Sequence, residues 1–229
     1  MPLEDMTKDQ RKPLIKSFLK EMYFERRDTI FKWARLTKQT PLIETKFLGQ
    51  NLVSLITGIS GSGSAARGDD LVDGSEIKTC SRLDQLSKCT NCGAYITAID
   101  EVCPSCGGPV TVRMTDSHWI FTINTDAKRD KILDHTPAIY LLLIDGYELN
   151  DTELARFTVW KINPATDRYF RQDYVNDYYN SNFTRRRRAG ENPAPMNMHP
   201  RSPKFSRTNA RIVFEAVMKK TGNTDILTF

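Results

Sequence analysis

The chain has 229 residues, 39% of them hydrophobic and 10% aromatic, with a formal net charge of +5. That is enough for one sizeable core with a small appendage. No run approaches the roughly 20 apolar residues of a membrane span, and the polar start MPLEDMTKDQRK does not read as a secretory signal. From Ser181 onward the local charge is about +7, more than the whole chain carries, so the rest is slightly acidic and the positive potential sits at the C-terminal end. This asymmetry favours a polyanionic partner over a generally basic protein.

Residues from about Arg11 to Leu36 read as helix. Leu14, Ile15, Phe18, Leu19, Met22 and Tyr23 recur at three- and four-residue spacing, and Ile30, Phe31, Ala34 and Leu36 continue the stripe. Thr40-Pro41 reads as the start of a second helix, with Thr as cap and Pro in the first turn. Leu48, Leu52, Val53, Leu55 and Ile56 supply its apolar side, and Gly58 ends it. Glu44 falls in its first turn, where the helix dipole favours a carboxylate; it is also a candidate further acid for a metal site. The Gly- and Ser-rich stretch ISGSGSAARG follows. It lacks the Lys-Ser/Thr ending of a P-loop, so no nucleotide cofactor is expected.

The stretch from Arg67 to Lys78, RGDDLVDGSEIK, places acids before an Asp-Gly turn and a Glu-x-Lys after it. On a strand, Glu76 and Lys78 share a face while Ile77 points the other way, into a core. Two carboxylates hold a hard cation such as Mg²⁺, and an amine beside them orients or activates an attacking water. The turn bears on which acid takes part. A three-residue loop Val72-Asp73-Gly74 sets Asp70 opposite Glu76, whereas a two-residue Asp73-Gly74 turn sets Asp69 opposite Lys78. The first register is preferred, making Asp70, Glu76 and Lys78 the candidate catalytic residues. Read without chemistry, the same stretch is an exposed acidic hairpin.

CTNCG at Cys89 and Cys92, followed ten residues later by CPSCGG at Cys103 and Cys106, has the spacing of a four-thiolate Zn²⁺ site. Such a closed shell has no open position, so this zinc is structural. In so short an insert it largely holds the fold together. Cys80 lies outside the spacing and reads as a small buried apolar residue. Paired thiols of this kind belong to a reducing compartment, and a cytoplasmic, prokaryotic setting is expected.

Beyond the insert, His118 to Asn124, Ala138 to Asp145 and Leu154 to Ile162 read as strands, the second as a central strand covered on both faces. Residues 125–137 read as a short helix or loop, and Asp167 to Phe183 as helix. Chain organisation is accordingly a core over 1–87 and 112–183, an insert over 88–111, and a basic, Pro-rich region over 184–229 ending in an amphipathic segment, Ala210 to Lys220. Ser81, Arg82, Asp84 and Gln85 follow the motif and are candidates to reach a nucleic acid, Gln85 by reading a base edge. The run Arg185, Arg186, Arg187 and Arg188 is a candidate phosphate-contacting arm.

The order helix, Gly-rich loop, Asp70, turn, Glu76-Ile77-Lys78 and further strands resembles the PD-(D/E)xK nuclease superfamily. Among its members it is most similar to type II restriction endonucleases of the MamI type. The resemblance covers mainly Leu42 to Ile144. It implies an α/β (α+β) fold with a mixed central sheet flanked by helices, here carrying an inserted four-cysteine zinc ribbon. It also implies Mg²⁺-dependent, sequence-specific hydrolysis of double-stranded DNA by a homodimer. Asp70 and Glu76 would bind Mg²⁺, and Lys78 would place the nucleophilic water. Asp69 stands where many members have proline, and many lack a zinc ribbon. Two other readings stand beside it: a non-catalytic zinc-ribbon DNA-binding protein, which keeps the cysteines and basic tail while Asp70, Glu76 and Lys78 are only surface, and a repair or Holliday-junction nuclease that uses the same three residues.

Overall fold

The run AIYLLLID dictates the centre of the molecule. All seven residues of its strand, Ile139–Asp145, are buried, and each aliphatic side chain so placed contributes about 1.5–3 kcal/mol of gross burial energy. The computed structural model describes residues 1–37, 39, 41, 43–63, 69–96, 100, 102–109 and 116–229. Nine strands are named among them: β1 (Glu76–Ser81), β2 (Ser87–Lys88), β3 (Tyr95–Ile96), β4 (Trp119–Phe121), β5 (Ile139–Asp145), β6 (Glu153–Ile162), β7 (Met196–Met198), β8 (Arg211–Lys219) and β9 (Thr224–Thr228). The main sheet runs in the order β1-β5-β6-β8-β9. β1 and β5 are parallel, in the register Lys78↔Leu141, and the other pairs are antiparallel. The sheet is therefore mixed, with β1 on one edge.

Alternation along the strands separates two cores. Tyr140, Leu142 and Ile144 of β5 join Ile77, Phe157 and Phe214 under the N-terminal helices. Ile139, Leu141 and Leu143 join Cys80, Trp119, Phe121 and Phe170 on the other face. The first face is covered by α1 (Lys8–Leu19), which runs through a π-helical turn, Lys20–Glu25, into α2 (Arg26–Thr37), and by α3 (Thr45–Thr57). Thr7 starts α1 with a reciprocal capping box to Gln10. Ile15, Leu19 and Tyr23, four residues apart, are fully buried. Leu14 and Leu36, assigned to the same stripe by spacing, are instead exposed.

The helix expected to start at Thr40-Pro41 starts at Thr45, with Glu44 as the preceding, exposed N-cap residue. Thr40 and Leu42 lie outside the described residues, as do residues 64–68 of the Gly-rich loop. Its end is as expected: Gly58 is left-handed, φ 75°, and its amide reaches Ser54. Gly49 on α3 packs so closely on β1 that a Cβ there would collide with Thr79 Oγ1.

The opposite face is covered by α4 (Asp126–Asp130), continuing as a π-helical turn Lys131–His135, and by the helical stretch Phe170–Asn176 and Tyr178–Thr184 that ends in α5 (Arg185–Arg188). The His118–Asn124 segment forms only the short β4, which pairs with β7 apart from the main sheet. The Pro-rich region is thus part of the fold, with Met196 and Met198 buried. Residues 210–220, read only as amphipathic, form β8 between β6 and β9, so the main sheet extends past residue 184. No described helix is long and apolar enough to cross a membrane.

Candidate active site and metal centre

The loop before β1 has the three-residue form. The Leu71 amide donates to Ser75 O at 3.2 Å, the Gly74 amide to Leu71 O at 3.0 Å, and Gly74 takes φ 88°. Asp73 closes the loop by accepting from the Ser75 amide and hydroxyl. Upstream, the Ser62 amide donates to Asp70 O and the Val72 amide to Ser60 O, so this short segment lies antiparallel to the start of the Gly-rich loop.

β1 bonds to β5 on one side only, which leaves the Ile77 amide facing outward. Asp70 satisfies it: its Oδ2 accepts from Ile77 N at 2.7 Å, and its Oδ1 from Gln50 Nε2 on α3 at 2.5 Å. Glu76 and Lys78 lie on the face opposite Ile77, and Lys78 Nζ is 2.5 Å from Glu76 Oε1. The same ammonium lies 5.5 Å from the centre of the Phe121 ring. Both side chains are about one quarter exposed, so they remain accessible to solvent and a ligand.

Two further residues stand here that the sequence alone did not single out. Gln50 anchors Asp70, and Lys131 Nζ sits 2.6 Å from Asp69 Oδ1. The Lys131 pKa is raised, first by its hydrogen bond to Asp69 and then, against some burial, by the charges of Asp69, Glu76 and Asp70. The charges of Asp69, Asp70 and Glu76 thus all reach Lys131, and Glu76 pairs with Lys78. Among the described residues only the four cysteines form a group of three or more metal-ligating side chains close enough to share an ion. Each bonded carboxylate oxygen of Asp70 and Glu76 keeps a second acceptor direction. Two carboxylates suit a small hard cation that completes its shell with water and phosphate oxygens. Glu44, exposed at the head of α3, is not among the residues bonded in this cluster.

The cysteines form the second centre. β2 and β3 flank the first pair, and a Val102↔Pro109 bridge flanks the second. In each knuckle the glycine is left-handed, Gly93 at φ 74° and Gly107 at φ 68°, and its amide donates to the carbonyl of the first cysteine. The four Sγ atoms lie within 4.8 Å of one another, with Cys89–Cys106 at 3.8 Å and Cys92–Cys103 at 3.6 Å. A tetrahedral ion with sulfur at about 2.3 Å requires sulfurs roughly 3.8 Å apart, so the donors fit a closed four-thiolate site. Amides of Cys92 and Asn91 lower the Cys89 pKa; the Asn91 side chain and then the Gly108 amide lower that of Cys106 to about 6. These bonds stabilise the thiolate form of Cys89 and Cys106; Cys92 moves the other way, to about 12, because the Ala94 amide that lowers it is outweighed by the bond to the Cys103 sulfur and by burial. Cys80, outside the centre, is pushed up to about 12 by burial.

The residues after β1 turn inward. Asp84 accepts from Arg27 Nε at 2.8 Å, Tyr23 Oη at 3.0 Å and Ser81 Oγ at 2.7 Å, with Arg27 and Asp84 almost fully buried. Gln85 donates to Asp116 and accepts from the Ser117 amide and hydroxyl, clasping the neck of the insert. Arg82 donates to Pro200 O at 3.1 Å. Arg185 to Arg188 form a helical turn and not an extended arm. Arg186 lies 3.8 Å from Glu191, Arg187 rests on Phe183, and Arg185, Arg187 and Arg188 are exposed.

A family model for the MamI restriction endonuclease matches residues 32–228, nearly the whole chain. The chain belongs to the MamI restriction endonuclease family. Within it, the Type II restriction enzyme MamI of Microbacterium ammoniaphilum is 29% identical over 86 residues, 38% of this chain and 28% of that protein. The aligned part is therefore under a third of that relative's length. No solved structure matches the chain. The family match runs from α2 through β9 and so takes in both the acid-lysine cluster and the cysteine insert.

Proposed function

We propose that this member of the MamI restriction endonuclease family is a Mg²⁺-dependent, sequence-specific endonuclease of double-stranded DNA, acting as a homodimer in the bacterial cytoplasm. The observation that carries the reading is the join between Asp70 and β1. A carboxylate fixed by the Ile77 amide is held against the strand that presents Glu76 and Lys78 on one face, with the two 2.5 Å apart.

Asp70 and Glu76 would hold the cation, which when bound polarises a phosphate oxygen and lowers the pKa of a coordinated water. Gln50 and the Ile77 amide keep the Asp70 carboxylate oriented before substrate arrives. Lys78 orients the attacking water in line with the leaving oxygen and offsets charge on the phosphate. Phe121 beside it limits the positions its ammonium can take. Zn²⁺ in the Cys89, Cys92, Cys103, Cys106 shell is structural, since four thiolates leave no position for substrate. Arg185, Arg187 and Arg188 supply sequence-independent phosphate contacts. Gln85 and Arg82 hold the neck of the insert and the 200 region, and so act on DNA through what they position.

Incubation of the purified protein with plasmid DNA and Mg²⁺ tests the reading. Discrete fragments are expected. Binding without cleavage would favour a non-catalytic zinc-ribbon DNA-binding protein, and cleavage confined to branched DNA a junction nuclease.

A further inference from the structure

Resting on the reading above as a sequence-specific endonuclease, we infer that the β4–β7 ribbon reads base edges in the major groove of duplex DNA, with Asn197, Ile120, Thr122 and Asn124 as its specificity-determining residues. β4 and β7 pair antiparallel outside the main sheet, and Ile120 stands directly opposite Asn197. One face of this ribbon is sealed. Trp119, Phe121, Met196 and Met198 are at most 3% exposed, and the Trp119 indole donates to Leu142 O of β5 at 2.8 Å. The other face is open. Ile120 and Asn197 are exposed, and the alternation runs on past β4, with Thr122 and Asn124 exposed on either side of buried Ile123.

The open face has the chemistry of a base reader. Among the described residues, the Thr122, Asn124 and Asn197 side chains have no hydrogen-bond partner, so their donors and acceptors remain for a ligand. An Asn amide pairs with the N6 and N7 edge of adenine, and aliphatic or threonine methyl groups pack on the thymine methyl. The major groove, about 12 Å wide, admits a two-stranded ribbon. Charge at both ends makes DNA the occupant. Arg187 lines a cleft of about 700 Å³ with Ile120, Thr122 and Asn124. Glu191 borders the same cleft but is drawn toward Arg186 at 3.8 Å. At the other end His199, next to Met198, lines a second cleft with Arg82 and Arg201. Amides and methyls between flanking cations match base edges between two phosphate backbones. Phe121 on the sealed face lies 5.5 Å from the Lys78 ammonium, which ties the ribbon to the site it directs.

Selection of bound fragments from a randomised duplex DNA pool reads base preference apart from turnover, using the full-length protein with Ca²⁺ in place of Mg²⁺. The wild type is expected to enrich one motif. Asn197→Ala and Asn124→Ala should each relax the preference at one or two of its positions by roughly 10- to 100-fold, with affinity for unrelated DNA within about twofold. Arg187→Gln is the control, expected to weaken all sequences alike. These side chains are exposed, so an unaltered melting profile is expected in each variant. An unchanged motif in folded Asn197→Ala/Asn124→Ala would overturn the inference. So would an unchanged motif accompanied by altered sedimentation, which would place a second copy of the chain on this face. A wild type that enriches no motif overturns the underlying reading, and the inference with it.

Discussion

Lys78 Nζ and Glu76 Oε1 are 2.5 Å apart on one face of β1, and Ile77 between them is buried among the helices on the other. The strand's alternation fixes this arrangement, because moving either residue by one position would send it into the core. Lys78→Ala should lower DNA cleavage by roughly 10²–10⁴-fold and leave DNA binding measurable in a gel-shift assay with Ca²⁺ in place of Mg²⁺. Retained cleavage would remove Lys78 from the site.

Helix α3 reaches the site through its contact with β1. Gly49→Ala would drive a methyl group into Thr79 Oγ1, which is buried and has no hydrogen-bond partner among the described residues. The expected cost is about 1–3 kcal/mol in urea denaturation, with reduced cleavage because α3 also carries Gln50. Gly49→Ala/Thr79→Ala should recover most of the stability, since the colliding oxygen is gone.

Among the described residues of the cysteine insert, the buried apolar cluster is small: Cys89, Ile96 and Cys103, with Ala94 packed against them. Chelating the zinc should therefore open it, seen as new proteolytic sites between residues 88 and 109 and loss of the bound metal by atomic absorption. Protein purified without zinc and still resistant there would contradict the assignment. Cys80 behaves differently. Burial raises its pKa to about 12, so it should resist iodoacetamide at pH 9 until the chain unfolds. Unfolding releases its proton above about pH 8.5, so this residue makes stability fall as pH rises through that value.

The basic helical turn gives a salt-dependent expectation. Replacing Arg185, Arg187 and Arg188 with Gln should weaken binding to all DNA sequences alike. The slope of log K against log salt should become shallower by about 0.9 for each phosphate no longer neutralised. An unchanged slope would place DNA elsewhere on the protein.

Patterns confined to one segment were legible in the sequence. The apolar run of β5, the Glu-x-Lys alternation of β1 and the paired cysteines each carry their geometry within a few residues. The loop length before β1 was legible too, because Gly74 supplies the left-handed position that a three-residue turn requires. Lys131 and Gln50 were not, because each comes from a helix whose docking on the sheet is set by distant contacts, not by its own sequence. β8 escaped for another reason. Its buried residues Phe214, Ala216 and Met218 alternate, but Val217 between them is also buried and Ile212 is exposed, which blurs the two-residue period. Asp84 and Gln85 looked available to DNA only because Tyr23, Arg27, Asp116 and Ser117 are remote in sequence.

The most direct test of the acid assignment is the rate of Mg²⁺-dependent plasmid cleavage by Asp70→Asn and Asp69→Asn, compared side by side. Asp70→Asn, folded and still able to bind DNA, is expected to lose cleavage by at least about 10²-fold, while Asp69→Asn cuts close to the wild-type rate. Wild-type cleavage by Asp70→Asn, or the reverse order of the two variants, would contradict it.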